Sequence, residues 1–317
     1  MKKLVLALLL IWSTLGAMET QQPFEHYTLS GAVIDMVYKD DKLYCATSAS
    51  CIEIVDIQSK KVIQKIQVPR IKDFMGDEID AKIYSVDVLG DMILLLSQAP
   101  KGYREIYIYK DNKLQNIISI DAKLDIARAK FLDAENIIFA LLGNDIISYN
   151  LKEHKRNWTK QASQSKFSYF ALNEDKTEVV VADESGDLHI MDTKTSDVTK
   201  VLSGQNLDNV FQVVYKHGYI ATAGQDRRVV VYNARSGQAY YKTSSFLIYS
   251  VGLSPKAKIV AYASDENNNV TLFKRSTHSK IGVYGGNKMT LSKIIFKNEK
   301  EFFVASDDKV VNHYRIK

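Results

Sequence analysis

The chain is poor in the residues that divide a sequence or staple it together. Proline occurs 4 times in 317 residues, and no Ser/Gly-rich stretch interrupts the rest, so nothing marks a linker between separately folded units. Two cysteines, Cys45 and Cys51, exclude a disulfide-dense framework, and no Cys-x-x-Cys-His motif offers a haem attachment point. The six histidines, at 26, 154, 189, 217, 278 and 313, show no i, i+2 or i, i+4 ligand spacing. No nucleophile elbow or P-loop occurs, and the most glycine-rich stretch, residues 282–287, lacks the Lys-Ser/Thr pair of a phosphate cradle. No cofactor is expected.

Long apolar runs are also scarce. The single one, Leu4–Trp12, follows Lys2 and Lys3 and precedes small residues at Thr14, Gly16 and Ala17. This is the layout of a Sec-type export signal, expected to be cleaved after about residue 17. An uncleaved anchor is the alternative, although the run is short for a membrane span. No cysteine follows Gly16 to carry a lipid, so the expected product, residues 18–317, is a bacterial periplasmic protein without stable membrane insertion. Loss of the two lysines leaves 40 basic against 37 acidic residues. That balance argues against binding a phosphate backbone, and no nucleic-acid partner is expected.

What is present is a repeat. Runs of alternating apolar residues close on a large apolar residue followed by Asp, Asn, Lys or Arg: Val55-Asp56, Tyr109-Lys110, Tyr149-Asn150, Met191-Asp192, Tyr232-Asn233, Phe273-Lys274 and Tyr314-Arg315. Their spacings are 54, 40, 42, 41, 41 and 41 residues. A period of that size, filled with short strands and turn residues, marks an all-β radial repeat, a β-propeller with four-stranded antiparallel blades. The clearest copy runs from Tyr219 to Asn233 around the turn Gly224-Gln225-Asp226, and Phe303–Tyr314 aligns with it without a gap, placing Asp308 over Asp226. Strand-like runs at 32–38 and 42–47 make the first dyad the end of a third strand. The chain stops three residues after Tyr314, so the last blade lacks its fourth strand, and Pro23–Leu29 is the segment free to supply it. That closure gives seven complete blades and removes exposed sheet edges.

These dyads and hairpins resemble the WD-repeat family over roughly the whole mature chain. The tryptophan of the family's Trp-Asp dyad is replaced throughout, and its opening Gly-His pair is absent. The buried His–Asp network of that family is therefore not expected, and Asp226 and Asp308 should serve their own turns. Tyr149-Asn-Leu-Lys-Glu-His-Lys-Arg-Asn-Trp158 also resembles the repeat of quinoprotein-type propellers, but Trp158 is unrepeated, so a quinone is not implied.

Three features are candidates for function. The second interval is 13 residues longer than the 41-residue norm, and the surplus falls in residues 70–82 and 98–104, expected on one face. Arg70, Lys72, Phe74, Met75, Asp77, Glu78, Tyr103 and Arg104 there mix apolar and charged side chains, as an interface does; a tolerated surface insertion is the plain alternative. Cys45 and Cys51 flank a hairpin turn and can be joined if the register sets them opposite; two free, partly buried thiols are the other outcome. Carboxylates in 183–187 and 265–269 offer oxygen ligands for Ca²⁺ but read more simply as solvated turns.

The expectation is an exported, non-catalytic protein-interaction scaffold with a periplasmic protein partner. The export signal, the degenerate Tyr-Asn and Phe-Lys dyads and the C-terminal ending resemble the WD-repeat-like accessory proteins of periplasmic nitrate reductases, which implies nitrate reductase components as partners. An outer-membrane assembly scaffold and a lactonase-type hydrolase, the latter requiring a channel metal, are the alternatives.

Overall fold

The computed structural model describes residues 19–317; the expected export signal lies outside the described residues. Seven sheets of four antiparallel strands, one with a fifth short strand, form a closed ring. Their innermost strands are Val33–Lys39, Ile83–Leu89, Ile126–Phe131, Phe167–Leu172, Val210–Lys216, Val251–Leu253 and Leu291–Phe296, which define blades 1 to 7. Each packs against the next, and Leu291–Phe296 packs against Val33–Lys39 to close the circle.

All seven dyads end third strands, as expected, at Asp56, Lys110, Asn150, Asp192, Asn233, Lys274 and Arg315. The chemistry of the second dyad position is local. Oδ1 of Asp192 accepts from the backbone amides of Lys194 and Thr195, and Oδ1 of Asn233 accepts from those of Arg235 and Ser236, so each holds the turn to the fourth strand. The first dyad position packs between blades. Val55, Met191, Tyr232, Phe273 and Tyr314 are all buried.

The core is likewise divided between blades. Ala46, Ile52 and Ile66 of blade 1 pack on Ile83, Val86 and Leu95 of blade 2. Leu94, Leu96 and Ile106, on the other side of blade 2, pack on Ile126, Ala129 and Phe139 of blade 3. Both faces of a blade are therefore apolar, which is why the second strands read as nearly continuous runs such as Ile93-Leu94-Leu95-Leu96. Gly252 in the innermost strand of blade 6 allows close approach of its neighbour: a Cβ there would lie 2.9 Å from Cγ2 of Ile294.

The connection before blade 5 buries Asn206, whose Nδ2 donates to Tyr232 Oη (3.0 Å) and whose Oδ1 accepts from Thr222 Oγ1 (2.7 Å). Asn287 repeats this before blade 7, accepting from Asn312 Nδ2 (2.9 Å) and lying 3.2 Å from Tyr314 Oη. A tyrosine hydroxyl thus supplies a polar anchor at the dyad position. Asp226 does more than serve its own turn: Oδ1 accepts from Arg228 N and Oδ2 from Leu207 N in the preceding connection.

Closure follows the expected route. Glu25–Thr28 pairs antiparallel with Val310–His313 as the fourth strand of blade 7. Just before it, Thr20–Gln21 adds a parallel fifth strand to blade 6. His313 sits in this seam, 3% exposed, between the rings of Phe24 (4.4 Å) and Phe303 (4.2 Å). Its Nδ1 lies 3.3 Å from Tyr27 Oη, and its Nε2 lies 3.3 Å from Glu301 without hydrogen-bond geometry. Burial holds its pKa down to about 4, against 6.5 for a free imidazole, and outweighs the opposing pull of Glu301. The unfolded chain therefore binds a proton that the folded chain refuses. The contribution of this one group is fully present above pH 6.5 and is lost as pH drops toward 4, by up to about 3 kcal/mol. Thermal unfolding of residues 18–317 between pH 7 and pH 5.5, above most carboxylate titration, should show a falling Tm. His313→Asn should flatten that slope; an equal slope in the variant would place the acid-labile group elsewhere.

Candidate functional site

The innermost strands carry a recurring irregularity that shapes the axis of the ring. In six of the seven blades a β-bulge follows the first buried residue of this strand, as between Val33 and Asp35 or Leu291 and Lys293. The extra residue shifts the alternation, so Val33 and Met36, three apart, enter the same inter-blade core. The position two residues after that first buried residue is occupied around the ring by Asp35, Ser85, Arg128, Tyr169, Gln212, Ser250 and Lys293.

These side chains close the channel laterally. Asp35 Oδ2 accepts from Val86 N (3.3 Å), Ser85 Oγ from Ala129 N (3.3 Å), and Gln212 Oε1 from Val251 N (3.0 Å) and Ser250 Oγ (2.8 Å). Each supplies the edge of the next blade's innermost strand with an acceptor it would otherwise lack. Across the axis, buried Asp35 meets Arg128 Nη2 (3.3 Å), Lys293 Nζ (3.1 Å) and Lys130 Nζ (4.0 Å). Arg128 stacks 4.0 Å from the centre of the Tyr169 ring, and Tyr169 Oη accepts from Lys293 Nζ (2.5 Å). Burial raises the Asp35 pKa, but the three cations outweigh it and hold the carboxyl well below the usual range. Sequence reading missed this cluster. Its signal was a charged residue recurring at one position of otherwise apolar strands, in Ile34-Asp35-Met36, Ala127-Arg128-Ala129 and Ser292-Lys293-Ile294.

Residues 68–82 leave the ring between blades 1 and 2 and form a small hairpin, Ile71–Lys72 against Glu78–Ile79. Its tip lifts Phe74 (96% exposed) and Met75 (72%) into solvent. Asp73 Oδ1 accepts from the amides of Met75 and Asp77, and Gly76 takes φ +92° to complete the turn. Arg70 braces the base, with Nε 3.1 Å from Asp80 Oδ1 and Nη2 donating to the Glu78 carbonyl (2.9 Å). Lys72, Asp77 and Glu78 are exposed around it. The 98–104 turn is adjacent, since Lys82 N donates to Gln98 Oε1 and Gln98 N to the Lys82 carbonyl. Tyr103 there is half-buried. Arg104 departs from the expected surface group: its guanidinium lies 3.8 Å over the Tyr84 ring and donates to the Ile126 carbonyl (2.8 Å), joining blades 2 and 3.

The register decides the cysteines. Cys45 pairs with Glu53 and Cys51 with Gln67, so the two are not opposite, and both are free and buried. Burial raises both thiol pKa values, which disfavours the thiolate. The 183–187 cluster is also not a solvated turn throughout: Asp183 is fully buried, accepting from Ser163 Oγ (2.5 Å) and Ser185 Oγ (2.5 Å). Asp265 bonds the amides of its own turn, at Asn267 and Asn269. Trp158 donates from Nε1 to the Thr193 carbonyl, joining blades 3 and 4.

The ring, its strand order and its channel define a WD-repeat-like seven-bladed β-propeller. Among solved structures, the chain is similar to the β-propeller domain of Myceliophteria thermophila Cps50 (Swd1), with a TM-score of 0.77 and 12% identity over 93% of this chain and 99% of that one. At that identity the likeness shows the fold alone. No protein-family model and no curated protein matches the sequence.

Two outcomes follow from the geometry. Asp35→Ala leaves Arg128 and Lys293 without their counter-charge, while Lys130 keeps Asp87, and should cost about 3–5 kcal/mol in urea unfolding, with part recovered on adding Lys293→Met. A thiol reagent should titrate Cys45 and Cys51 only once the protein is unfolded, and a reductant should leave Tm unchanged.

Proposed function

We propose that this chain is an exported, non-catalytic interaction scaffold whose protein partner docks on the end of the ring bearing the 71–79 hairpin. The observation that carries this reading is the distribution of exposed large apolar residues. Phe74, Met75, Leu207, Phe246 and Met289 all lie on connections from the last strand of one blade to the first of the next. Those connections share one end of a propeller with the turns between second and third strands, because the strands alternate in direction. Phe246 and the stacked pair Phe211–Tyr249 (5.2 Å) extend the aromatic character there. Among the described residues, the turns at the opposite end carry no large exposed apolar residue, and the other exposed ones, Phe24, Ile63, Val198, Val201 and Tyr241, lie on or beside the outer strands. Apolar anchors rimmed by charges such as Arg70, Lys72, Asp77 and Glu78 are what a specific interface uses.

A scaffold role also suits the channel chemistry. A metal-dependent propeller hydrolase needs uncommitted carboxylates at the axis, whereas Asp35 is shared by cations and Asp87 accepts from Phe131 N and Lys130. The narrower form of the proposal is an accessory role in a periplasmic nitrate reductase system. Its support is the likeness of the leader and the degenerate dyads to the accessory protein NapL.

Affinity purification of the tagged chain from native periplasm, grown with and without nitrate, tests both levels. Nitrate reductase components co-purifying in the nitrate sample are the expected result. Phe74→Ser with Met75→Ser, which alters only exposed side chains, should leave Tm unchanged and weaken capture about tenfold or more. Undiminished capture by that variant would remove the hairpin from the interface. Barrel-assembly components in both samples would replace the nitrate reductase reading.

A further inference from the structure

The axial channel widens beyond the Asp35 constriction into a chamber of about 490 Å³, lined by residues from the innermost strands of all seven blades. It opens among the first-to-second-strand turns, at Asn173–Lys176, Lys216 and Pro255, the end of the ring opposite the hairpin. A volume of that size lies in the range of small-molecule sites, about 300–1,000 Å³. Its walls combine apolar surface, from residues such as Val37, Leu172, Val214 and Ile295, with five cations: Arg128, Lys130, Lys176, Lys216 and Lys293.

The acidic groups nearby are fewer than the cations, and each has a partner of its own. Asp35 is held by Arg128 and Lys293, Asp87 accepts from Phe131 N and meets Lys130, and Glu174 Oε1 accepts from His217 N (2.8 Å). Among the described residues, the ammonium groups of Lys176 and Lys216 have no hydrogen-bond or ion-pair partner, and both side chains are half-buried. Burial lowers the Lys176 pKa, and Lys130 and Lys39 push it the same way against Asp87 and Asp133. Several like charges thus face a partly desolvated mouth, an arrangement that an incoming anion would relieve.

We infer that the chamber is a binding site for a small organic anion, a phosphate, phosphonate or carboxylate head on an apolar body, its head between Lys176 and Lys216 and its body against the apolar wall. The site lies at the opposite end from the proposed docking face and does not depend on it.

Phenylphosphonate titrated into the mature chain by calorimetry is the direct test. Saturable binding at one site per chain, weakening as salt rises, is expected. Lys176→Met with Lys216→Met, which keeps the apolar stems, should lower affinity about tenfold or more without loss of Tm. Phe74→Ser with Met75→Ser should bind phenylphosphonate as the parent does, separating this site from the docking face. Benzyl alcohol, the ring without the charge, should not bind, and inorganic phosphate should bind more weakly. Absence of saturable binding, parental affinity in the double-lysine variant, or equal binding of benzyl alcohol would overturn the assignment.

Discussion

The structure depends on apolar contact between blades. No blade has an interior of its own; each lays two apolar faces against two neighbours, so a single blade would expose both. The ring is the arrangement in which every face finds a partner. This is why the second strands are apolar on successive residues rather than alternate ones. It also explains why Glu25–Thr28 must reach back to Val310–His313: without that strand the seventh sheet ends in unpaired backbone. The aromatic packing of Phe24, Phe303 and His313 gives this seam a buried core, and with it a buried titratable group.

The same packing sets the channel. Seven innermost strands converge on one axis with their edges facing one another. The repeated bulge turns one side chain per blade toward the neighbouring edge, and polar residues at that position provide the acceptors. Where charges occupy it, as at Asp35, Arg128 and Lys293, the result is a buried ionic plug. One end of the ring then presents long connections free to vary, with apolar tips, and the other a cation-lined chamber. Two surfaces of different chemistry follow from one repeat, because the ends of a propeller are built from different sets of turns.

Much of this was legible because it is local and repeated. The dyad recurs because one large residue must fill the space between blades and one short polar residue must hold the turn that follows; Tyr232-Asn233 does both, through Asn206 on one side and the amides of Arg235 and Ser236 on the other. Counting strands around Val55 and Tyr314 sufficed to identify the closing segment. The excess of 13 residues marked the hairpin, although Arg104, at the edge of that surplus, turned inward over Tyr84. Asp183 was read as a turn residue and is buried, because Ser163 from the preceding connection reaches it.

The sequence by itself determined the repeat, the strand order, the blade number and the route of closure, since each follows from a short pattern and from counting its copies along the chain. Only the tertiary structure decided which distant residues meet. The pairing of Cys45 with Glu53 rather than Cys51 is a matter of register, set by the whole blade. The meeting of Asp35 with Arg128 and Lys293 spans 93 and 258 residues of chain, and no local spacing encodes it. It arises from the closing of the ring, which carries residues at one position of separate repeats to a common axis, where their charges must answer one another.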